Sequence, residues 1–332
     1  MTSRPYVAGL MALLVVAVGC VDPPSSNDLG PSATPTAVTT ETTSTTVVPA
    51  LDATFAAIAE RTTMTEEARR LLALSSPALV ELGGLGAACG LEPEISVLGC
   101  YRSGQISVLA VTDPRLDGMA EATTAHELLH AAWATFDDAE RERLSRLLQT
   151  AFDRVATTEL TDRLDLYRGR DPASVDGELH SVLGTEIADV GPELETHYRR
   201  WFADRAAVVS LTVAVRATFA SLEDQVDALD AALSELQARI DGLETTLDAD
   251  LAALESRSAE LEALLAAERF EEYNAGVGPF NEQVRLYNES VADLRTLIDD
   301  FNALARERNA LAAAYTDLVA QITTSPEALP VG

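Results

Sequence analysis

The chain has 332 residues, 47% of them apolar, which is length and apolar content enough for more than one folded unit. Its net charge is −29, from 53 acidic residues against 24 basic ones, so nucleic acid and anionic lipid surfaces are disfavoured as partners because either would repel it. Every basic residue is arginine, a compositional trait to which no function is attached.

At the start of the chain, Arg4 precedes an apolar run from Val7 to Val18 that is short for a bilayer span and ends at Ala17-Val18-Gly19-Cys20. Residues 1–19 are therefore predicted to be a secretory signal. Small residues directly before Cys20 resemble a bacterial lipobox, in which the signal is cut and the cysteine receives lipid. Residues 20–50 are rich in Ser, Thr and Pro and are expected to be a disordered tether. The expected location is the extracytoplasmic face of a bacterial cell membrane, lipid-anchored through Cys20. No later run of 18 consecutive apolar residues suggests a further span. With Cys20 lipidated, Cys89 and Cys100 remain as a pair, and a disulfide closing their short loop would stabilise by about 2–3 kcal/mol.

Residues 51–205 are predicted to form one domain. Leu51 to about Leu82 reads as helix broken at Ser75-Ser76-Pro77. Two β-rich runs, Ile95 to Tyr101 and Gln105 to Val111, flank Arg102-Ser103-Gly104 and predict a hairpin. A helix after Gly118 carries Thr124-Ala125-His126-Glu127-Leu128-Leu129-His130. Positions i and i+4 share one helix face, so both imidazoles can reach a single zinc ion. Glu127, rotated by about 100° around the axis, can hold a water without ligating the metal. Leu128, Leu129, Ala132 and Trp133 would bury this helix, and buried imidazoles need a partner. The pattern predicts one zinc per chain in the machinery of a zinc hydrolase. Acidic residues at Asp137-Asp138-Ala139-Glu140 open a helix predicted to run to about Tyr167, and Val175 to Leu183 is predicted to be a short helix stopped by Gly184.

Residues 206–324 change character. Leu222, Val226, Leu229, Leu233, Leu236, Ile240, Leu243 and Leu247 recur at heptad spacing, and the step to Leu251 predicts a stutter. Gly276-Val277-Gly278-Pro279 is predicted to break the helix, with a second one from Phe280 to Ile322. The expectation is an antiparallel coiled-coil hairpin with arms of about 65 Å, able to hold a protein partner; pairing between two chains is the alternative. Residues 325–332 are expected to be a disordered tail.

A zinc site on two helical histidines needs a third protein ligand, with water in the open position, and Glu178, His180 and Glu186 are the candidates. In its H-E-x-x-H segment and downstream acidic helix, over roughly Leu82 to Arg205, the chain resembles the gluzincin branch of zinc metallopeptidases. The fold this implies is α+β: a small zincin-like catalytic domain with a β-hairpin or sheet, followed by the coiled-coil hairpin. The resemblance implies that a helical glutamate completes the site. Glu178, anchored by Leu179, Val182 and Leu183, is preferred to Glu186 beyond Gly184. It further implies that zinc polarises the scissile carbonyl while Glu127 takes a proton from the bound water and passes it to the leaving amine. An extended peptide would add to a strand beside the helix, His180, His197 or Tyr198 would donate to the oxyanion, and Glu186 and Asp189 would orient a ligand histidine. The expected function is a membrane-tethered extracytoplasmic zinc metallopeptidase acting on a peptide or protein substrate. The competing class is a non-enzymatic envelope scaffold that acts through its coiled coil and carries an inactive zincin domain.

Overall fold

The computed structural model describes residues 49–90, 97–170 and 172–323. The predicted signal, Cys20, nearly all of the tether, the start of the first β-run at Ile95-Ser96 and the 325–332 tail lie outside them. The described chain is mostly helical with one small mixed sheet, broadly α+β, and divides into two compact units.

In the first unit, Asp52 and Thr65 cap α1 (Ala53–Arg61) and α2 (Glu66–Leu74) by accepting from the amides three residues on. Helix was expected to resume after Pro77, but the chain forms strand β1 (Ala78–Val80) before α3 (Leu82–Cys89). The strand has a pairing site that local propensity does not reveal: β1 lies parallel to β3 (Gln105–Leu109), Ala78 opposite Ser107 and Val80 opposite Leu109. On its other side β3 pairs antiparallel with β2 (Gly99–Arg102). The two-residue turn Ser103-Gly104 has φ of 50° and 81°, the positive values that suit a tight hairpin. The sheet order is β1-β3-β2, and Ile106 to Leu109 are buried at its centre. Cys89 at the end of α3 is disulfide-bonded to Cys100 in β2, Cα to Cα 5.7 Å.

Gly118, at φ 92°, opens α4 (Met119–Thr135), the helix that carries the H-E-x-x-H segment. The predicted long helix after Asp137 is two helices: α5 (Asp138–Val155) ends at Ala156, and the Thr157 hydroxyl accepts from Leu160 N at 3.1 Å to start α6 (Thr158–Arg170). Helix α7 (Val175–Thr185) runs through Gly184 instead of stopping there, and α8 (Pro192–Tyr198) follows. The unit extends into α9 (Arg205–Ala266) as far as Ala220, because Val208, Val209, Val215 and Phe219 are buried in its core. Helix α9 holds an 18-residue window long and apolar enough to cross a membrane by composition, which a search for unbroken apolar runs does not register because Ser210, Thr212 and Arg216 interrupt it. Residues 317–323 rejoin this unit, with Leu318, Val319 and Ile322 buried and Asp317 paired to Arg115 at 3.0 Å.

The second unit, Ser221–Thr316, is a helical hairpin within one chain, made by the remainder of α9 and by α10 (Phe270–Ala320) up to Thr316. Antiparallel pairing is fixed by the Tyr315 hydroxyl donating to Glu223 at 2.8 Å and by Arg308 donating to Asp230 at 2.9 Å. Two details differ from expectation. The turn falls at Ala267–Arg269, where Glu268 sits at φ 58° and the amides of Glu268 and Arg269 bond back to Leu265 and Leu264, a Schellman closure built on glutamate where glycine is usual. Helix α10 then passes through Pro279, and Gly276 serves close approach: a Cβ there would come within 2.6 Å of Leu261 Cδ2. There is also no stutter at Leu251, which is 42% exposed; the seam keeps its seven-residue step from Ile240 through Leu247 and Leu254 to buried Leu261.

Candidate metal centre

The centre is made by the packing of α4 against α7. Gly177 and Gly184 lie two turns apart on one face of α7, which lets the two helices come close. A Cβ on Gly184 would sit 2.3 Å from Leu129 Cδ1, and one on Gly177 would sit 3.1 Å from Trp133 Cδ1. Glu178, next to the first of these glycines, is thereby carried to the histidines of α4. His126 Nε2 lies 3.1 Å from His130 Nε2, and Glu178 Oε2 lies 3.7 Å and 3.3 Å from them. Ligand atoms of the three residues fall within 4.8 Å of one another, and all three side chains are buried. The group can hold a metal ion, and the sequence reading that preferred Glu178 to Glu186 placed the same three residues together.

Desolvation dominates the electrostatics, and charge partners decide its outcome. Burial alone would raise the Glu178 pKa, but the charge of His126, with that of His130 beside it, holds its carboxyl well below the usual range. Burial lowers the imidazoles; Glu178 outweighs this at His126, which is raised, while His130 stays lowered. Glu127, fully buried one residue after His126, is pushed up to about 8 by burial, with His126 opposing and Glu178 adding to the rise. Neither Glu127 oxygen nor either Glu178 oxygen has a hydrogen-bond partner, and His126 Nδ1 is likewise unpartnered. Five buried polar atoms in that condition are costly unless a cation and its water engage them.

Strand β2 closes the side of the site next to Glu127. A Cβ on Gly99 would meet Thr123 Cγ2 at 2.7 Å, Ser107 O at 2.9 Å and Glu127 Cγ at 3.1 Å, so only glycine lets the strand approach. Gly99→Val is expected to destabilise the protein by about 1–3 kcal/mol through overpacking. Thermal denaturation checks this, and an unchanged midpoint would mean that β2 does not lie against α4 in solution.

The other predicted residues are placed as follows. Glu186 caps the end of α7 and is buried between two arginines, accepting from Arg163 at 2.8 Å and from Arg216. These partners hold its carboxyl below the usual range despite burial, and its charge also acts on His126. Arg205 fixes the loop behind it by donating to the carbonyls of Leu183 (3.2 Å), Ile187 (2.6 Å) and Ala188 (2.7 Å). Asp189 is exposed and accepts from the Gly191 amide, away from the ligand set. His180, His197 and Tyr198 form a cluster of their own: the His180 and His197 Nε2 atoms are 2.8 Å apart, and the Tyr198 hydroxyl donates to His180 O at 2.8 Å. A residue the sequence reading passed over is Tyr167 on α6. It is buried, the charges acting on it are those of Glu178, Arg163, Glu127 and Glu186, and burial first of all raises its pKa well above the ordinary value. No sequence signal marked it; it closes the stretch expected to be a single helix from Asp137.

The histidine pair gives the fold an acid limit. Burial depresses His197 from 6.5 to about 4, and His180 lies well below 6.5 for the same reason. The unfolded chain takes up these protons first, so the pair's contribution to stability is full above about pH 6.5 and is lost as pH drops toward 4, whereas Glu127, raised to about 8, contributes in the opposite sense over the same range. His197 alone contributes a loss on the order of 3 kcal/mol. Urea midpoints of native and His197→Gln protein at neutral pH and at about pH 4.5 isolate this contribution, and the variant should lose less stability than the native protein on going to the lower pH. A pH dependence that His197→Gln leaves unchanged would contradict the assignment.

Comparison with protein-family models, curated proteins and solved structures yields no match. What the fold and site define is an α+β protein with a buried His-His-Glu group able to hold a metal ion.

Proposed function

We propose that the protein is a zinc-dependent peptidase, with zinc held by His126, His130 and Glu178 and with Glu127 as general base. The observation that carries this is the buried triad, two imidazole nitrogens and a carboxylate oxygen, set beside a further buried carboxylate without hydrogen-bond partners. Two nitrogens and one oxygen are a donor set that suits zinc and leaves a coordination position open. When bound, the ion supplies Lewis acidity and lowers the pKa of its water.

The chain's own residues do the rest. Glu127 takes the proton of the attacking water and delivers it to the leaving amine nitrogen. A divalent cation beside it favours the carboxylate and brings its pKa, about 8 from burial, toward the range of a working base. Tyr167, kept protonated by burial and acted on by the charges of Glu178 and Glu127, is the candidate donor to the carbonyl oxygen as charge develops there. Among the described residues β2 pairs on one side only, and a peptide added along its other edge would run past Glu127, where Gly99 lies against it.

The test is cleavage of a mixed peptide pool by protein stripped with chelator and then restored with one equivalent of zinc. Activity lost and regained supports the reading. Stoichiometric zinc without cleavage favours instead a scaffold that acts through its helical hairpin. The reading also places the protein outside the cytoplasm on a lipid anchor at Cys20. The Cys89–Cys100 disulfide supports this, since such bonds persist in oxidising compartments. Cys20→Ser should release the protein from the membrane fraction or stall its processing, and unchanged retention with normal mobility would count against the anchor.

A further inference from the structure

Against His126 the first unit holds a partly open cavity of ≈ 30 Å³. Ala122 and Met119, one and two turns before His126 on α4, and Val215 on α9 make its apolar wall; His126 itself forms another side, and Glu186 with Arg216 another. Met119 and Val215 are buried, and the Arg216 guanidinium is engaged by the Glu186 carboxylate, so the wall offers no unpaired charge to a visitor.

Because His126 lines both the cavity and the metal centre, the cavity lies within reach of a side chain next to a peptide bond held at the triad. Its size decides what enters. A cavity needs about 10–15 Å³ to hold one water, whereas benzene binds in one of about 150 Å³. A space of ≈ 30 Å³ therefore takes a methyl or hydroxymethyl group and turns away a leucine or aromatic side chain. We infer that this cavity is a specificity pocket restricting one of the two residues flanking the scissile bond to glycine, alanine or serine. The inference rests on the peptidase reading and adds the substrate class to it.

The same geometry gives the means of changing the selectivity. Met119→Ala removes the far end of a long side chain from the wall while leaving the ligands, Glu127 and Tyr167 in place, and Val215→Ala widens the opposite side by less. Neither residue belongs to the catalytic machinery.

The experiment profiles cleavage of a peptide library, randomised on both sides of the scissile bond, by zinc-loaded native protein and the two variants, using mass spectrometry. For the native protein one flanking position should be confined to Gly, Ala and Ser, with kcat/KM lower by at least about tenfold for Leu or Phe there, within the usual range for a misfit in an apolar pocket. Met119→Ala, or Val215→Ala should the first variant not fold, should bring Leu into that position. Binding of uncleaved peptides to Glu127→Gln, read by calorimetry, should follow the native order without any turnover. A native profile open to large residues at both positions, or a selectivity that neither variant moves, overturns the pocket assignment while leaving the peptidase standing. Absence of all cleavage by the zinc-loaded protein overturns the peptidase reading itself, and this inference with it.

Discussion

Glu178→Ala is expected to strip the metal from the protein. Among the described residues Glu178 is the one carboxylate grouped with both imidazoles, so its loss leaves two nitrogen donors on one helix. The fall in zinc affinity, measured by competition with a chromophoric chelator, should far exceed the roughly 10–100-fold that follows from changing residues around a ligand. Glu186→Ala is the control. Its carboxylate is already engaged by Arg163 and Arg216, and removing it leaves two guanidiniums without their acceptor, one of them buried. That variant should keep zinc within the smaller range while losing stability on the order of 3–5 kcal/mol. If Glu186→Ala lost the metal and Glu178→Ala kept it, the centre would have to be rebuilt at the end of α7.

Glu127→Gln should have the opposite signature, full zinc and almost no turnover. The amide is nearly the same shape in a site where Gly99 and Thr123 crowd the Glu127 stem, so the fold and the ligands are undisturbed, but the proton acceptor is gone. A fall in kcat/KM of about 10²–10⁴ is the expected size for a lost general base. Steady-state kinetics with metal analysis of the same sample decide it. Loss of zinc equal to that of His126→Ala would mean that Glu127 ligates or shapes the site.

The features legible in the sequence are those set by local periodicity. The four-residue step from His126 to His130 is one helical turn, the β-hairpin is announced by Ser103-Gly104, and the paired cysteines lie close enough along the chain to close a loop. What escaped depends on neighbours distant in sequence. Gly184 looks like a helix stop, yet it is there because Leu129 and Tyr198 press against it, and helix α7 continues beneath them. Gly276 looks like part of a turn for the same reason, while the true turn is made by Glu268, a residue without turn character. Strand β1 exists through its pairing with β3. The bend at Ala156-Thr157, ahead of the helix that carries Tyr167, is a break in an otherwise continuous helical pattern. The grouping of His180, His197 and Tyr198 with one another follows from α8 packing under α7, which a list of polar residues near a motif does not convey.

The central claim, hydrolysis of peptide bonds at this centre, is tested most directly by comparing peptide termini across the proteome of cells whose only copy is native with those of cells whose only copy is Glu127→Gln. The peptidase reading predicts a set of termini present with the native protein and missing with the variant. Identical termini in the two strains, with both proteins present at equal levels and carrying zinc, would contradict it.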